Sequence, residues 1–277
     1  MSNIAIIGAN GMLGYAMSGY FSSKGYDILK ISRTDFDIAK DPFSKLEILL
    51  AESSVVVNCA GIIKPQIAKN TIEDVIKVNS IFPRNLANFC KQMGIKCFHI
   101  TTDCVYTGSK GKYTEEDVFD ADDIYGLTKN AGETSDCMVL RTSIIGEEQG
   151  QSRSLIEWAR SQQGKTVNGF VNHFWNGVTT VYLAEIIENI IDQYLYTPGI
   201  FHIHSPNFVS KKELLEVLST VYSLNLTVQP VEAPQFCDRT LSSIHSLSQK
   251  LCTKTIQMQV HEMSEFFQVL DHTMMYI

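Results

Sequence analysis

The sequence has no block of basic residues: its 23 Lys and Arg are scattered and are outnumbered by 30 Asp and Glu, for a net charge of −7. Sequence-independent binding to nucleic acid is therefore not expected. No apolar run reaches the roughly 18–20 residues that span a bilayer, and the N-terminus lacks the charged and then apolar pattern of a signal peptide. These absences predict a cytoplasmic protein with neither a nucleic-acid nor a membrane partner.

The seven cysteines and seven histidines show no pairing pattern either. No two cysteines are spaced as CxxC and none has metal-like spacing to a histidine, so we predict neither a disulfide framework nor a bound metal. His202 and His204 would share one face of a strand, but a metal site needs more ligands than two. The remaining composition, 44% hydrophobic and 19% charged, is that of an ordinary globular protein, typically an intracellular enzyme.

The first half of the chain alternates apolar, β-branched runs with longer helical patterns, which is typical of a parallel sheet covered by helices on both faces. Strands are predicted at 4–7, 27–32, 54–57, 95–100 and 138–141, and helices at 11–24, 43–51, 72–92 and 123–134. Later helices are predicted at 153–162, 179–195 and 210–222, with a strand at 199–204. We predict a main domain of residues 1–146 plus about 178–204, and a smaller lobe of about 147–177 and 205–277.

A glycine-rich turn follows the first strand and opens the first helix. Gly8, Gly11 and Gly14 form a GxxGxxG pattern. In a dinucleotide-binding turn the first glycine permits the tight bend, the second lets backbone approach a pyrophosphate, and the third allows close helix packing. The position of the pattern between a strand and a helix predicts dinucleotide binding.

The end of the second strand bears on the choice of cofactor. Ser32 and Arg33 close this strand, and a guanidinium suits a ribose 2′-phosphate because it forms bidentate bonds to it. Asp35 is the alternative, since an acid near this point would take the 2′-hydroxyl of NAD. We favour NADPH, with NADH as the less favoured cofactor.

A tyrosine and a lysine share one face at the start of the helix predicted at 123–134. Tyr125 and Lys129 are four residues apart, which places phenol and ammonium one turn apart. A neighbouring cation is expected to lower the pKa of the phenol and make it a usable proton donor and acceptor. Thr101 and Thr102 end the fourth strand, at the sheet edge where ligands bind in parallel α/β folds.

Together these motifs resemble the extended short-chain dehydrogenase/reductases, and most closely the dTDP-4-dehydrorhamnose reductase group of nucleotide-sugar reductases. The matching segments are collinear over about the first 146 residues: 8–14, 57–61, 101–108, 125–133 and 140–143. Similarity beyond them is thinner, chiefly at 177–180 and 238–241. The resemblance implies an α/β, Rossmann-type doubly wound parallel sheet with an NADP-binding main domain and a smaller C-terminal substrate-binding lobe.

The resemblance also implies residue roles. Tyr125 protonates the developing alkoxide, Lys129 holds the nicotinamide ribose, and Thr102 hydrogen-bonds the substrate carbonyl. The residues assigned to the cofactor are Gly8, Asn10, Gly11, Met12, Leu13, Gly14, Ser32, Arg33, Asp37, Ile38, Cys59, Ala60, Gly61, Thr101, Tyr125, Lys129 and Ile144. Ile144 departs from the group, which often has an aromatic there against the sugar.

The substrate is assigned to Thr102, Asp103, Cys104, Trp175 and Arg239. Asp103 either touches substrate or caps a turn. Trp175 either stacks on a base or packs the lobe. Arg239 is a candidate for the substrate diphosphate, with a surface charge as the alternative. Cys104 stands where the resembling 4,6-dehydratases have a glutamate, so the base for water elimination is missing; the thiol itself is expected to be an unreactive strand-end residue.

These observations predict NADPH-dependent reduction of the 4-keto group of a nucleotide-linked 6-deoxy sugar in surface-polysaccharide biosynthesis. The expected partner is a nucleotide-diphosphate-sugar, and the protein is a possible homodimer. Two alternatives stay open: an epimerase that retains NAD, and a non-catalytic regulatory subunit of the S-adenosylmethionine synthetase type.

Overall fold

The structure, a computed structural model, describes residues 3–148 and 154–274. Its centre is a six-stranded sheet in which every pairing is parallel, in the order β10-β5-β4-β3-β1-β2. The strands are β1 Asn3–Ile7, β2 Asp27–Ile31, β3 Val55–Asn58, β4 Lys96–Thr102, β5 Met138–Thr142 and β10 Gly199–His202. Because β1 is followed on one side by β2 and on the other by β3, the topological switch point lies between β1 and β3. This is where ligands bind in such sheets.

Alternate residues of each strand face opposite layers of helices. In β1, Ile4 and Ile6 pack on one side and Ala5 and Ile7 on the other. The first side is covered by α1 Met12–Ser23, α7 Thr180–Asp192 and α10 Ile256–Met274. The second side is covered by α2 Phe43–Leu49 and α4 Phe82–Met93. The predicted fold class, a doubly wound α/β sheet, is confirmed.

The helix predicted at 72–92 is continuous but not uniform. It begins as α3 Ile72–Ile76, passes through a five-residue π-helical turn, Lys77–Ile81, and continues as α4. Gly94, in the left-handed region with φ 70°, ends it. π turns inside α-helices occur frequently at functional sites, and this one lies against α5 Ile124–Gly132.

A smaller lobe is formed after β5 by short strands and helices; below, "the small lobe" means these elements. Its helices are α6 Leu155–Ser161, α8 Lys211–Val221 and α9 Ser246–Leu251. Its strands are β7 Thr166–Phe170, β8 His173–Trp175, β11 Val209–Ser210, β12 Thr227–Val231 and β13 Cys237–Asp238, paired as β11-β8-β13 and β12-β7. Two short paired strands, β6 Ile144–Ile145 and β9 Val178–Thr179, lie where the chain leaves and re-enters the main sheet.

The sequence analysis placed most helices and main-sheet strands within a few residues, but it did not predict α10 or the small-lobe strands. Residue 153, the predicted first residue of the helix observed as α6, lies outside the described residues. Within residues 3–148 and 154–274, no helix is long and apolar enough to cross a membrane. The same part of the chain holds no cluster of three or more side chains arranged to bind a metal ion.

Candidate active site

A cavity of about 660 Å³ lies at the carboxyl ends of the parallel strands, over the switch point. Its wall contains nearly all of the residues that the sequence assigned to cofactor or substrate. These are Gly8, Asn10, Gly11, Met12, Leu13, Ser32, Arg33, Asp37, Ile38, Cys59, Ala60, Gly61, Thr101, Thr102, Asp103, Cys104, Tyr125, Lys129 and Ile144. Three assigned residues, Gly14, Trp175 and Arg239, lie outside this wall.

The glycine turn forms the floor of one end of the cavity. Gly8 has φ +82° and donates its N–H to Ile31 O at 2.8 Å, which folds the turn over the end of β2. A Cβ on Gly14 would lie 2.2 Å from Gly8 O, so only glycine fits at this position. Gly14 serves the packing of α1 against the turn, which is why it does not line the cavity. Gly11 caps α1 without a side-chain hydrogen bond. The first N–H groups of α1 are therefore left for an anion, as in dinucleotide-binding turns.

The two candidates for the ribose contact differ in what they already bind. Asp35 accepts hydrogen bonds from Ser32 N at 2.8 Å and Ser32 Oγ at 2.6 Å, which lower the pKa of its carboxyl and keep it ionised. Its carboxylate thus closes the turn after β2 and does not line the cavity. Arg33 lines the cavity and has no hydrogen bond or ion pair within the described ranges. The arrangement leaves the guanidinium, and not the carboxylate, available to a ligand.

Helix α5 brings Tyr125 and Lys129 to the end of β4. Its N-terminus is fixed by Asp123, whose side chain accepts a hydrogen bond from Gly126 N at 2.9 Å. Lys129 is buried and donates to Ile100 O at 3.0 Å. Burial lowers the pKa of its ammonium to about 8, because a desolvated group favours its neutral form.

The expectation that Lys129 lowers the pKa of Tyr125 does not hold in this structure. Burial, the largest influence, raises the pKa of the phenol, and the thiol of Cys104 acts in the same direction. A hydrogen bond with the hydroxyl of Thr102 opposes the rise. The ammonium of Lys129 donates to the backbone carbonyl of Ile100 and does not offset this rise. Because its pKa is raised, the phenol is protonated at neutral pH.

Asn79, in the π turn, is a site residue that the sequence analysis missed. Its Oδ1 accepts from Ile62 N at 2.8 Å and its Nδ2 donates to Ile62 O at 3.0 Å. This clamps the cavity-lining segment after β3, and a Cβ on Gly61 would lie 3.6 Å from Asn79 Oδ1 and 3.8 Å from Lys129 Nζ. Asn79 is buried. The helix predicted at 72–92 contains Asn79, Asn85 and Asn88, and nothing in the sequence sets Asn79 apart from the other two.

The opposite end of the cavity carries Asp103 and Cys104. Thr102 Oγ1 donates to Asp103 Oδ1 at 3.2 Å. Burial raises the pKa of the Asp103 carboxyl, while the cations of Arg239 and Lys211 oppose the rise. Burial likewise raises the pKa of Cys104 to about 12, which keeps it a thiol.

Two residues assigned to the substrate belong to the small lobe. Trp175 is 4% exposed and packs in the main hydrophobic cluster, opposite Val209 on the paired strand β11, and it does not line the cavity. Arg239 follows β13 and donates its Nε to Tyr106 O at 2.9 Å. It thus lies beside Asp103 and Cys104, outside the wall of the main cavity.

A buried polar network links the residue that follows α5 to strands β5 and β10 of the main sheet. The guanidinium of Arg141, fully buried in β5, donates to Glu133 Oε1 at 3.0 Å, to Tyr106 Oη at 2.9 Å and to His202 Nε2 at 2.7 Å. Nδ1 of His202 faces two backbone carbonyls, so it carries the proton. Burial, with the Arg141 charge second, lowers the pKa of His202 to about 4, and the ring is a neutral acceptor.

Comparison with known proteins gives a consistent family. The family model described as "RmlD substrate binding domain" matches residues 1–272. The spore coat polysaccharide biosynthesis protein SpsK of Bacillus subtilis (strain 168) is 22% identical over 257 residues, 89% of each chain. A dTDP-4-dehydrorhamnose reductase of Mycolicibacterium smegmatis is 31% identical over 154 residues, which is 51% of this chain and 45% of that protein.

Among solved structures, the dTDP-4-dehydrorhamnose reductase of Bacillus anthracis str. Ames in complex with NADP has a TM-score of 0.78. It is 21% identical, and the match covers 97% of this chain and 99% of that one. At this identity the likeness concerns the fold, while the family match spans nearly the whole chain. The chain therefore belongs to the RmlD substrate-binding domain family, and the resemblance inferred from its motifs is confirmed.

Proposed function

We propose that this protein is an NADPH-dependent oxidoreductase that reduces the 4-keto group of a nucleotide-linked 6-deoxy sugar in surface-polysaccharide biosynthesis. The observation that carries the proposal is one cavity in which Thr102, Tyr125 and Lys129 meet at the sheet edge, beside a glycine turn built for a pyrophosphate. The family membership and the names of its relatives support it.

The residues present fit NADPH. Gly8 approaches the backbone of Ala60 so closely that a Cβ would lie 3.0 Å from it, which leaves the turn as a cradle of backbone. Thr101 lines the same cavity, and its buried Oγ1 has no hydrogen-bond partner among the described residues. The first turn of α1 would hold the pyrophosphate and Arg33 the 2′-phosphate. When bound, NADPH supplies the hydride for C4 of the sugar.

The chain's own groups then handle the proton. Tyr125, whose raised pKa keeps it protonated, donates its phenolic proton to the C4 oxygen as the carbonyl becomes an alcohol. The hydroxyl of Thr102 lies beside this phenol and orients the same oxygen. Lys129 lines the cavity and is held by its hydrogen bond to Ile100 O, and its role is to bind the nicotinamide ribose. Acid catalysis and positioning thus converge on one oxygen atom.

The test is Tyr125→Phe, which removes the proton donor while keeping the ring. We expect NADPH affinity to be retained and turnover on a 4-keto nucleotide sugar to fall by roughly 10²–10⁴-fold. Turnover is measured as oxidation of NADPH with dTDP-, UDP- and GDP-linked 4-keto sugars, and product analysis should place deuterium from labelled NADPH at C4. Full activity of the Phe variant would contradict the proposal.

The same assay separates the alternatives. An epimer formed without net NADPH consumption would indicate an epimerase that retains its cofactor. Failure to oxidise NADPH with every keto sugar, together with capture of a synthetase partner, would indicate a regulatory subunit. No 4,6-elimination should accompany reduction, because the Cys104 thiol has a pKa of about 12 and cannot serve as the missing carboxylate base.

The division of labour along the chain is part of this proposal. We assign NADP binding to residues 1–146 with about 178–204, and substrate binding to about 147–177 and 205–277. The pairing of β10 with β5 supports the return of the chain to the main sheet. A homodimer and a cytoplasmic location stay predictions, to be tested by light scattering and by cell fractionation.

A further inference from the structure

Glu133 is a buried carboxylate that the mechanism above does not use. It directly follows α5, and its backbone N–H donates to Asn130 O at 3.0 Å, so it continues the last helical turn. Glu133 is 7% exposed, and Lys129, four residues earlier on the same face, is 5% exposed. The buried ammonium therefore lies between the phenol of Tyr125 on one side and this carboxylate on the other, one turn from each.

The ammonium and the carboxylate are each bound by another group. Lys129 donates to Ile100 O at 3.0 Å. Both oxygens of Glu133 accept from Arg141, Oε1 from Nε at 3.0 Å and Oε2 from Nη2. Arg141 pairs with Thr101 in the register of β5 and β4, one residue beyond Ile100. The guanidinium thus holds the carboxylate over β5, while the ammonium reaches the neighbouring strand β4.

The other titratable groups around Lys129 are uncharged at neutral pH. The phenol of Tyr125 is protonated, since burial raises its pKa. Burial also raises the pKa of the Cys59 thiol and lowers the pKa of the His99 imidazole. Among the residues that the structure describes, Glu133 is the one ionised neighbour of Lys129, and its charge raises the pKa of the ammonium against the larger effect of burial.

The position of Glu133 meets two opposing requirements on Lys129. A buried ammonium without any countercharge favours its neutral form. A direct ion pair with a carboxylate would instead occupy the N–H groups that bind the ribose. A carboxylate fixed one turn away still attracts the ammonium, because Coulomb interactions are weakly screened in buried surroundings. Arg141 fixes it there, since its fork binds both carboxylate oxygens at once.

We propose that Glu133 is a positioning residue of the reaction: Arg141 holds its carboxylate at a distance at which Lys129 stays an ammonium with N–H groups available to the cofactor ribose. This rests on the proposed function, in which Lys129 binds that ribose. The pair of Glu133 and Arg141 is neutral as a whole. Its effect on Lys129 comes from its orientation, with the carboxylate on the helix that carries Lys129 and the guanidinium on β5.

The test measures NADPH affinity against pH by fluorescence titration of the full chain. In the unmodified protein the affinity should fall as the pH rises through about 8, where Lys129 loses its proton. Glu133→Gln keeps the size of the side chain and removes its charge, so this fall should move to lower pH by about one unit. The pH profile of kcat on a 4-keto nucleotide sugar should move with it. Asp136→Asn, the matched control, removes a more exposed carboxylate nearby in the sequence and should leave the fall in place.

Two further variants separate the charge of Glu133 from its contribution to the fold. Arg141→Met weakens the fold but keeps the carboxylate, so the fall in affinity should not move to lower pH. Arg141→Met/Glu133→Leu leaves no unpaired charge and also lacks the carboxylate, so its fall should move as in Glu133→Gln. If Glu133→Gln does not fold, this double variant decides the question.

The proposal is overturned if NADPH affinity in the unmodified protein does not change near pH 8, or if its fall stays in place when the carboxylate is removed. An equal shift in Asp136→Asn would also overturn it. The reaction itself is judged separately by deuterium transfer. If the affinity profile moves as expected while the unmodified protein reduces no keto sugar, the role of Glu133 stands and the proposed reduction fails. If reduction occurs and neither profile moves, the reverse holds.

Discussion

The cofactor end of the cavity, around Gly8–Gly14 and the end of β2, is lined mostly by backbone. The region on the small-lobe side of Asp103, which includes Lys211 and Arg239 outside the cavity wall, is instead formed by side chains from three distant segments. The first end is one local motif between a strand and a helix. The second depends on β4, α8 and the segment after β13 meeting in space. A site made of backbone tolerates few substitutions among its own residues. A site made of side chains from distant segments depends also on the contacts that fix those segments relative to one another.

Removing Arg141 from its buried network should have the largest effect on the stability of the fold. Arg141→Met leaves the Glu133 carboxylate buried without its partner, which is expected to lower the free energy of unfolding by about 3–5 kcal/mol. Urea unfolding measures it. The double variant Arg141→Met/Glu133→Leu should recover much of the loss, since no unpaired charge remains. A single variant as stable as the unmodified protein would show that the buried Arg141–Glu133 pair does not stabilise the fold.

Lys129 gives a pH-dependent test at the boundary between the two ends. Its pKa of about 8 in the folded protein lies below the ordinary 10.5, so between these values the unfolded chain binds the extra proton. Its burial therefore lowers stability below pH 8, by at most about 3.4 kcal/mol, and this cost falls as the pH rises from 8 to 10.5. Relative to Lys129→Met, the unmodified protein should gain stability across this window. A difference independent of pH would contradict the assignment.

Arg33 tests the cofactor end with a smaller and more local effect. Arg33→Ala should weaken NADPH binding by about 1.5–3 kcal/mol, the contribution of a charged hydrogen bond, and leave NADH binding unchanged. Fluorescence titration with both cofactors measures the preference. Lys30→Ala removes an exposed cation of β2, three residues before Arg33, that does not line the cavity, and it serves as the matched control. Equal affinities for the two cofactors in the unmodified protein would refute the role of Arg33.

The same contrast explains what the sequence could predict. Gly8, Tyr125 and Lys129 were found because each belongs to a short motif whose spacing alone defines its geometry. Asn79 was missed because nothing near it in the sequence distinguishes it from Asn85 and Asn88; only its hydrogen bonds to Ile62 do. The direction of the Tyr125 pKa was predicted wrongly for a similar reason, since the spacing to Lys129 does not reveal that the ammonium turns to Ile100 O or that burial dominates.

The π turn at Lys77–Ile81 divides one helix between two neighbourhoods. Val75, upstream of the turn, and Val78, within it, pack with Ile62 at the rim of the cavity. Downstream, α4 packs Phe82 and Leu86 on the main sheet. A π turn carries more residues per turn than an α turn, so the two stretches are out of phase and each presents its own apolar face. A substitution at Val75 can therefore reshape the rim of the cavity without altering how α4 packs on the sheet.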